Sequence, residues 1–160
     1  MARITQEIKK TNNKVIIIND SNFLIRKKAV GNVALKALNY LEYTHIYLDL
    51  IFTSDSKIKR MNGRFLSHNW PTDVLAFPSG NIKSSQKIKL LGEVIISPKR
   101  ALLQAPLYQA SFQEELARYI CHGILHLAGF KDKTKRQKSE MRKKENKILS
   151  LSKPYINRIV

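Results

Sequence analysis

Two histidines four residues apart, His122 and His126, lie in the stretch CHGILHLAGFKDK (121–133), followed by Gly129 and Asp132. On a helix, residues i and i+4 stack on one face, so both imidazoles point the same way and can serve one zinc ion. Glycine readily adopts positive φ, so Gly129 lets the chain turn back and brings Asp132 within reach as a third ligand. The pattern H-x3-H-x5-D then leaves one tetrahedral position for water, which is the layout of a catalytic zinc site and not of a closed structural one. A histidine pair on an apolar helix also suits two hydrogen-bonded core residues; the glycine turn and the aspartate beyond it weigh toward the metal. Zinc proteases of the H-E-x-x-H type carry a glutamate directly after the first histidine as general base. Here that position is Gly123, so a hydrolase with a substrate other than peptide is the better reading.

The elements that must position these residues follow from periodicity. KVIIIND (14–20) reads as a strand, 23–41 as an amphipathic helix, HIYLDLIF (45–52) as a second strand and 53–66 as a short helix. A third strand is expected near 73–77; Pro71 and Pro78 bracket it and predict an edge position. LGEVIIS (91–97) is a fourth strand, and Pro98 opens a helix over 98–107. Ser111 caps the long histidine-bearing helix, which Gly129 stops, and 135–151 is a last, highly charged helix. With strands early and helices late, the expected class is α+β in a single domain over 1–160: about four strands, about five helices, and the zinc site on a helix beside the sheet.

The 160 residues carry 29 Lys and Arg against 12 Asp and Glu, a net charge of +17. Such an excess draws a small domain toward polyanions such as nucleic acid or ribosomes, although a solvated lysine surface gives the same count. No apolar run reaches the length of a membrane span, the first residues lack the apolar block of a signal peptide, and the single Cys121 permits no internal disulfide. The cytoplasm is the expected compartment. Residues 131–147 concentrate nine Lys and Arg against three acids, and this cluster starts at the proposed metal ligand. Lys131, Lys133, Lys135, Arg136, Lys143, Lys144 and Lys147 are accordingly the candidate nucleic-acid contacts, with a solvated helix face as the alternative.

HGILHLAGFKD resembles the signature H-G-x-L-H-L-x-G-Y-D-H of the YbeY family, bacterial endoribonucleases of ribosomal RNA maturation. PTDVLAFP (71–78) is similar to the family's P-T-D-V-L-S-F-P, and LGEVIIS (91–97) to its L-G-D-I-x-I-S. The three motifs occur in order and register, so the resemblance covers roughly residues 14–150. It implies a zinc-dependent, single-strand-specific endoribonuclease that trims the 3′ end of 16S rRNA and takes part in ribosome quality control. It also implies zinc ligands His122, His126 and Asp132, the last standing where the family usually has histidine. The family's arginine five residues before the proline is Leu66 here; Arg64 is the nearby candidate for its role, and the general base is unassigned. Leu66 lends weight to the alternative of a non-catalytic, zinc-containing assembly factor that binds rRNA.

Glu115 lies two helical turns before His122 and is a candidate hydrogen-bond partner for it, with a surface glutamate the more ordinary expectation. His68 is expected in a loop beside Trp70, His45 at a strand start, and Cys121 as a packed thiol off the metal-binding side.

Overall fold

The computed structural model describes residues 11–67, 72–80 and 87–160. Strands β1 (Lys14–Asp20), β2 (Ile46–Thr53), β3 (Val74–Pro78) and β4 (Lys89–Ile96) form one mixed sheet in the order β1-β2-β4-β3. β1 and β4 run parallel to β2, whereas β3 pairs antiparallel with β4. The strand between the two prolines is therefore an edge, as its inability to donate at Pro78 requires. Helices α1 (Lys27–Tyr40), α2 (Asp55–Leu66), α3 (Pro98–Gln104), α4 (Phe112–Leu127) and α5 (Lys135–Ile156) complete the α+β fold.

Successive strand residues point to opposite faces, and the sheet uses this to build two unequal layers. Leu48, Leu50 and Phe52 of β2, with Val94 and Ile96 of β4, join the main core against α1, α4 and α5. Ile95 and Leu75 face the other way and pack on Ile58 of α2 in a smaller cluster. α4 is the central helix: it contacts β3, β4, α1, α3 and α5. Its approach to the sheet is very close at Gly123, where a Cβ would lie 2.3 Å from Val94 Cγ1 and 3.0 Å from Val74 Cγ1. Gly123 is thus a packing residue as well as the site of a missing carboxylate, and no side chain fits there.

Three boundaries differ from the sequence expectation by three residues or more. α1 starts at Lys27 and not at 23, because Asn19 ties the preceding turn: its amide donates to the Phe23 carbonyl at 2.8 Å and its oxygen accepts from the Ser21 N–H at 3.1 Å. The helix from Pro98 stops at Gln104 and tightens into a 3-10 turn over Ala105–Tyr108; Pro106 lacks the N–H that would continue the α pattern. α5 runs to Ile156, through Pro154. The buried stripe Ile148, Ser152, Ile156 keeps its last turns against the core while Pro154 faces solvent, so packing outweighs the one lost hydrogen bond. Among the described residues no helix is long and apolar enough to cross a membrane.

The tight contact at Gly123 has a measurable consequence. Gly123→Ala should lower stability by roughly 1–3 kcal/mol, the range for overpacking a filled core, despite alanine's better helix propensity. Urea unfolding of both chains checks this, and an unchanged midpoint would contradict the packing account.

Candidate metal centre

α4 begins with a reciprocal cap, in which Glu114 N–H donates to Ser111 Oγ at 3.1 Å and Ser111 N–H donates to Glu114 Oε2 at 2.8 Å. It ends where the Phe130 N–H donates to the Leu125 carbonyl at 3.1 Å and Gly129 adopts φ 95°, a conformation that favours glycine. Three residues beyond Gly129 the chain reaches Asp132, and α5 follows with a second cap at Thr134. There Gln137 Oε1 accepts from the N–H groups of Lys133 and Thr134 at 3.0 and 3.1 Å. Asp132 is thereby held between two capped helix ends.

The three side chains converge. His122 Nε2 and His126 Nε2 are 2.9 Å apart, and Asp132 Oδ2 lies 3.3 Å from the first and 3.5 Å from the second. Each imidazole commits its other nitrogen to an acceptor. His122 Nδ1–H donates to Glu145 Oε1 at 2.7 Å, and His126 Nδ1–H donates to the Phe130 carbonyl at 3.0 Å. With both Nδ1 atoms carrying protons, both Nε2 lone pairs aim at one point, which is the tautomer that ligation needs. Tetrahedral bonds of about 2.1 Å place ligand atoms about 3.4 Å apart. The two distances to Asp132 match, and the histidine pair has to open by about half an ångström. The donor set therefore fits a metal ion.

Glu145 on α5 is the residue sequence reasoning missed. It is buried, accepts from Arg118 Nη1 at 3.0 Å through Oε2, and is approached by Arg142 Nη1 at 3.6 Å. Arg118 in turn donates to Asn146 Oδ1 at 2.9 Å. Burial alone would lower the His122 pKa, but the hydrogen bond and charge of Glu145 more than reverse this, so His122 titrates above the ordinary imidazole value. Burial alone would raise Glu145; the bonds from His122 and Arg118 prevail and hold its carboxyl below the usual range. A readable signal existed: Glu145 falls on the stripe Met141, Ile148, Ser152 that α5 buries, where an ionised side chain needs a partner.

The other expectations sort by position. Glu115 is buried, not superficial, and lines the metal cleft, but it makes no hydrogen bond to His122; Glu145 holds that place. Cys121 is fully buried and its thiol pKa is pushed up by burial. His68 lies outside the described residues. Arg64 lines a different cleft, with Asp20, Lys57 and Phe65, its guanidinium 5.6 Å from the Phe65 ring centroid. Of the basic residues, Arg118, Lys138 and Arg142 line the metal cleft, a cavity of about 320 Å³ that also includes Asp73, Tyr108 and Tyr119. Lys143 and Lys144 face another groove beside Tyr40, and Lys144 Nζ sits 4.8 Å from the Phe130 ring centroid. Arg136 pairs with Glu140 at 3.2 Å on the exposed side of α5, and Lys131, Lys133 and Lys135 are exposed near its start. Lys147 is exposed further along the same helix.

Removing the carboxylate behind His122 should weaken the centre without touching a ligand. Glu145→Gln is expected to lower metal affinity about 10–100-fold, whereas Asp132→Ala, which deletes a ligand, should cost more. Competition titration against a chelating dye measures both; equal affinity in Glu145→Gln and the parent chain would contradict this account of the histidine's support.

The profile of the family described as Endoribonuclease YbeY matches residues 7–153 of the chain. Among curated relatives, the Endoribonuclease YbeY of Cytophaga hutchinsonii is 36% identical over 135 residues, covering 84% of this chain and 92% of that protein. That of Thermodesulfovibrio yellowstonii is 40% identical over 110 residues, 68% of this chain and 69% of the relative. The solution structure of a Thermotoga maritima protein superposes with a TM-score of 0.57 at 26% identity, covering 88% of this chain and 92% of the other. With the profile spanning nearly the whole chain and relatives 36–40% identical over most of their length, the chain belongs to the YbeY endoribonuclease family, with Asp132 converging on the histidine pair where the family's signature has a third histidine.

Proposed function

We propose that the chain is a zinc-dependent endoribonuclease that cuts single-stranded RNA in the cytoplasm, matures the 3′ end of 16S rRNA and serves ribosome quality control. The observation that carries this reading is the convergence of His122, His126 and Asp132 at a cleft whose walls hold Arg118, Lys138 and Arg142. Family membership supports RNA as the polymer and hydrolysis of its backbone as the reaction. The absence of a carboxylate at Gly123, and the lack of room for one, speak against peptide cleavage.

His122, His126 and Asp132 would hold the zinc, which when bound polarises a phosphoryl oxygen and makes hydroxide available near neutral pH. Glu145 fixes the His122 tautomer and ring, and the Phe130 carbonyl does the same for His126. Arg118 is committed to Glu145 and Asn146, so it supports the site instead of meeting substrate directly. Lys138 and Arg142 are the wall cations on the α5 side of the cleft, placed to attract the RNA phosphates. Lys143, Lys144 and Lys147, around the helix from them, add long-range attraction and contact RNA beyond the cut.

Purified protein with zinc should cleave unstructured RNA and leave duplex RNA and unstructured peptides intact, and His122→Ala should abolish cleavage. RNA that is bound but never cut would instead support the assembly-factor alternative. Binding should weaken as salt rises. Replacing Lys138 and Arg142 together by alanine should flatten the log–log salt slope by about 1.4, at about 0.7 per phosphate contact on a single strand. An unchanged slope would remove both residues from the RNA path.

A further inference from the structure

We propose that Glu115 reads the base beside the scissile phosphate and selects guanine, an inference that rests on the endoribonuclease reading above. Glu115 is only 4% exposed, yet among the described residues its carboxylate has no hydrogen bond and no ion pair. The side chain is packed in the wall while its carboxylate opens on the cleft, so its acceptor oxygens are left free for a ligand that enters there. Burial pushes its carboxyl above the usual range, and the nearby charges of Arg118 and Arg142 offset this only in part. Both guanidinium groups turn to Glu145 instead.

The surroundings describe a base pocket. Glu115 lines the metal cleft and also the adjoining recess with Tyr108, Arg142 and Asn146. It lies seven residues before His122, about 10 Å along α4, the scale of one nucleotide from phosphate to base edge. Tyr108 is exposed on the rim, its ring centroid 6.0 Å from the Arg142 guanidinium, and offers a face on which an unpaired base can stack. The carboxylate then decides which base. Guanine alone among the four carries two adjacent donors, N1–H and N2–H, that match two carboxylate oxygens. Adenine and cytosine place a ring acceptor beside their single amino group, and uracil flanks its N3–H with carbonyls, so each would turn a lone pair toward the buried charge.

The test uses the zinc-loaded full chain and single-stranded oligouridylates carrying one guanosine, inosine, adenosine or cytidine, together with equilibrium binding of GMP and IMP. Inosine lacks the N2 amino group and is otherwise guanosine. Cleavage next to guanosine should exceed that next to inosine about tenfold, a ratio expected from one bidentate contact, and GMP should bind tighter than IMP by a similar factor. Glu115→Gln should bring both ratios to about one, and Glu115→Asp should retain a preference for guanine. Equal handling of guanosine and inosine by the parent chain overturns the proposal, even if RNA is cut, and leaves the endoribonuclease reading in place. No cleavage, but GMP over IMP selectivity that Glu115→Gln abolishes, upholds the base pocket and refutes the endoribonuclease reading. Should the glutamine variant fail to fold, the guanosine–inosine comparison on the parent chain decides alone.

Discussion

Two imidazole nitrogens 2.9 Å apart, each with its partner nitrogen already donating a proton, cannot both keep bare lone pairs. Something positive has to sit between them, either a proton or a metal ion, and the rest of the molecule is arranged around that requirement. Glu145 supplies the countercharge behind His122, and Asp132 supplies it in front. Glu145 is itself buried, so it needs Arg118, and Arg118 completes its own bonding with Asn146. The chain of partners runs from the site into the interface between α4 and α5 and couples the metal centre to helix packing.

The same constraint explains the placement of the sheet. α4 must lie flat and close to β3 and β4 to hold its histidine face toward α5, and Gly123 permits the approach by presenting no side chain to Val94 and Val74. The residue that a peptidase would use as a base is here spent on packing. The cap at Thr134 then starts α5 immediately after Asp132, so that one short connection carries a ligand and two helix ends.

Much of this was legible in the residues themselves. His122, His126 and Asp132 announce their convergence through helical spacing and a glycine turn, and Pro71 and Pro78 mark β3 as an edge before any pairing is known. Glu145 and Glu115 were harder to place because a glutamate inside QEEL or KKEN looks solvated until the facing helix is in view. Only the stripe Met141, Glu145, Ile148, Ser152 betrays the former, and it does so once α5 is known to pack on α4. Charge counting found the basic helix yet could not say which side faces the cleft; helical phase puts Lys138 and Arg142 there and sends Lys143 and Lys144 elsewhere. The ends of α1 and α5 escaped local rules because a side-chain tie at Asn19 and tertiary packing around Pro154 override them.

The central claim is that three named atoms share one metal ion, and anomalous X-ray diffraction at the zinc edge tests it most directly. The account predicts a single strong peak per chain, bonded to His122 Nε2, His126 Nε2 and Asp132 Oδ2, with His122 Nδ1 still donating to Glu145. A fully occupied peak bonded to other side chains would contradict it. So would zinc-soaked crystals that keep the two imidazoles in contact with no metal between them.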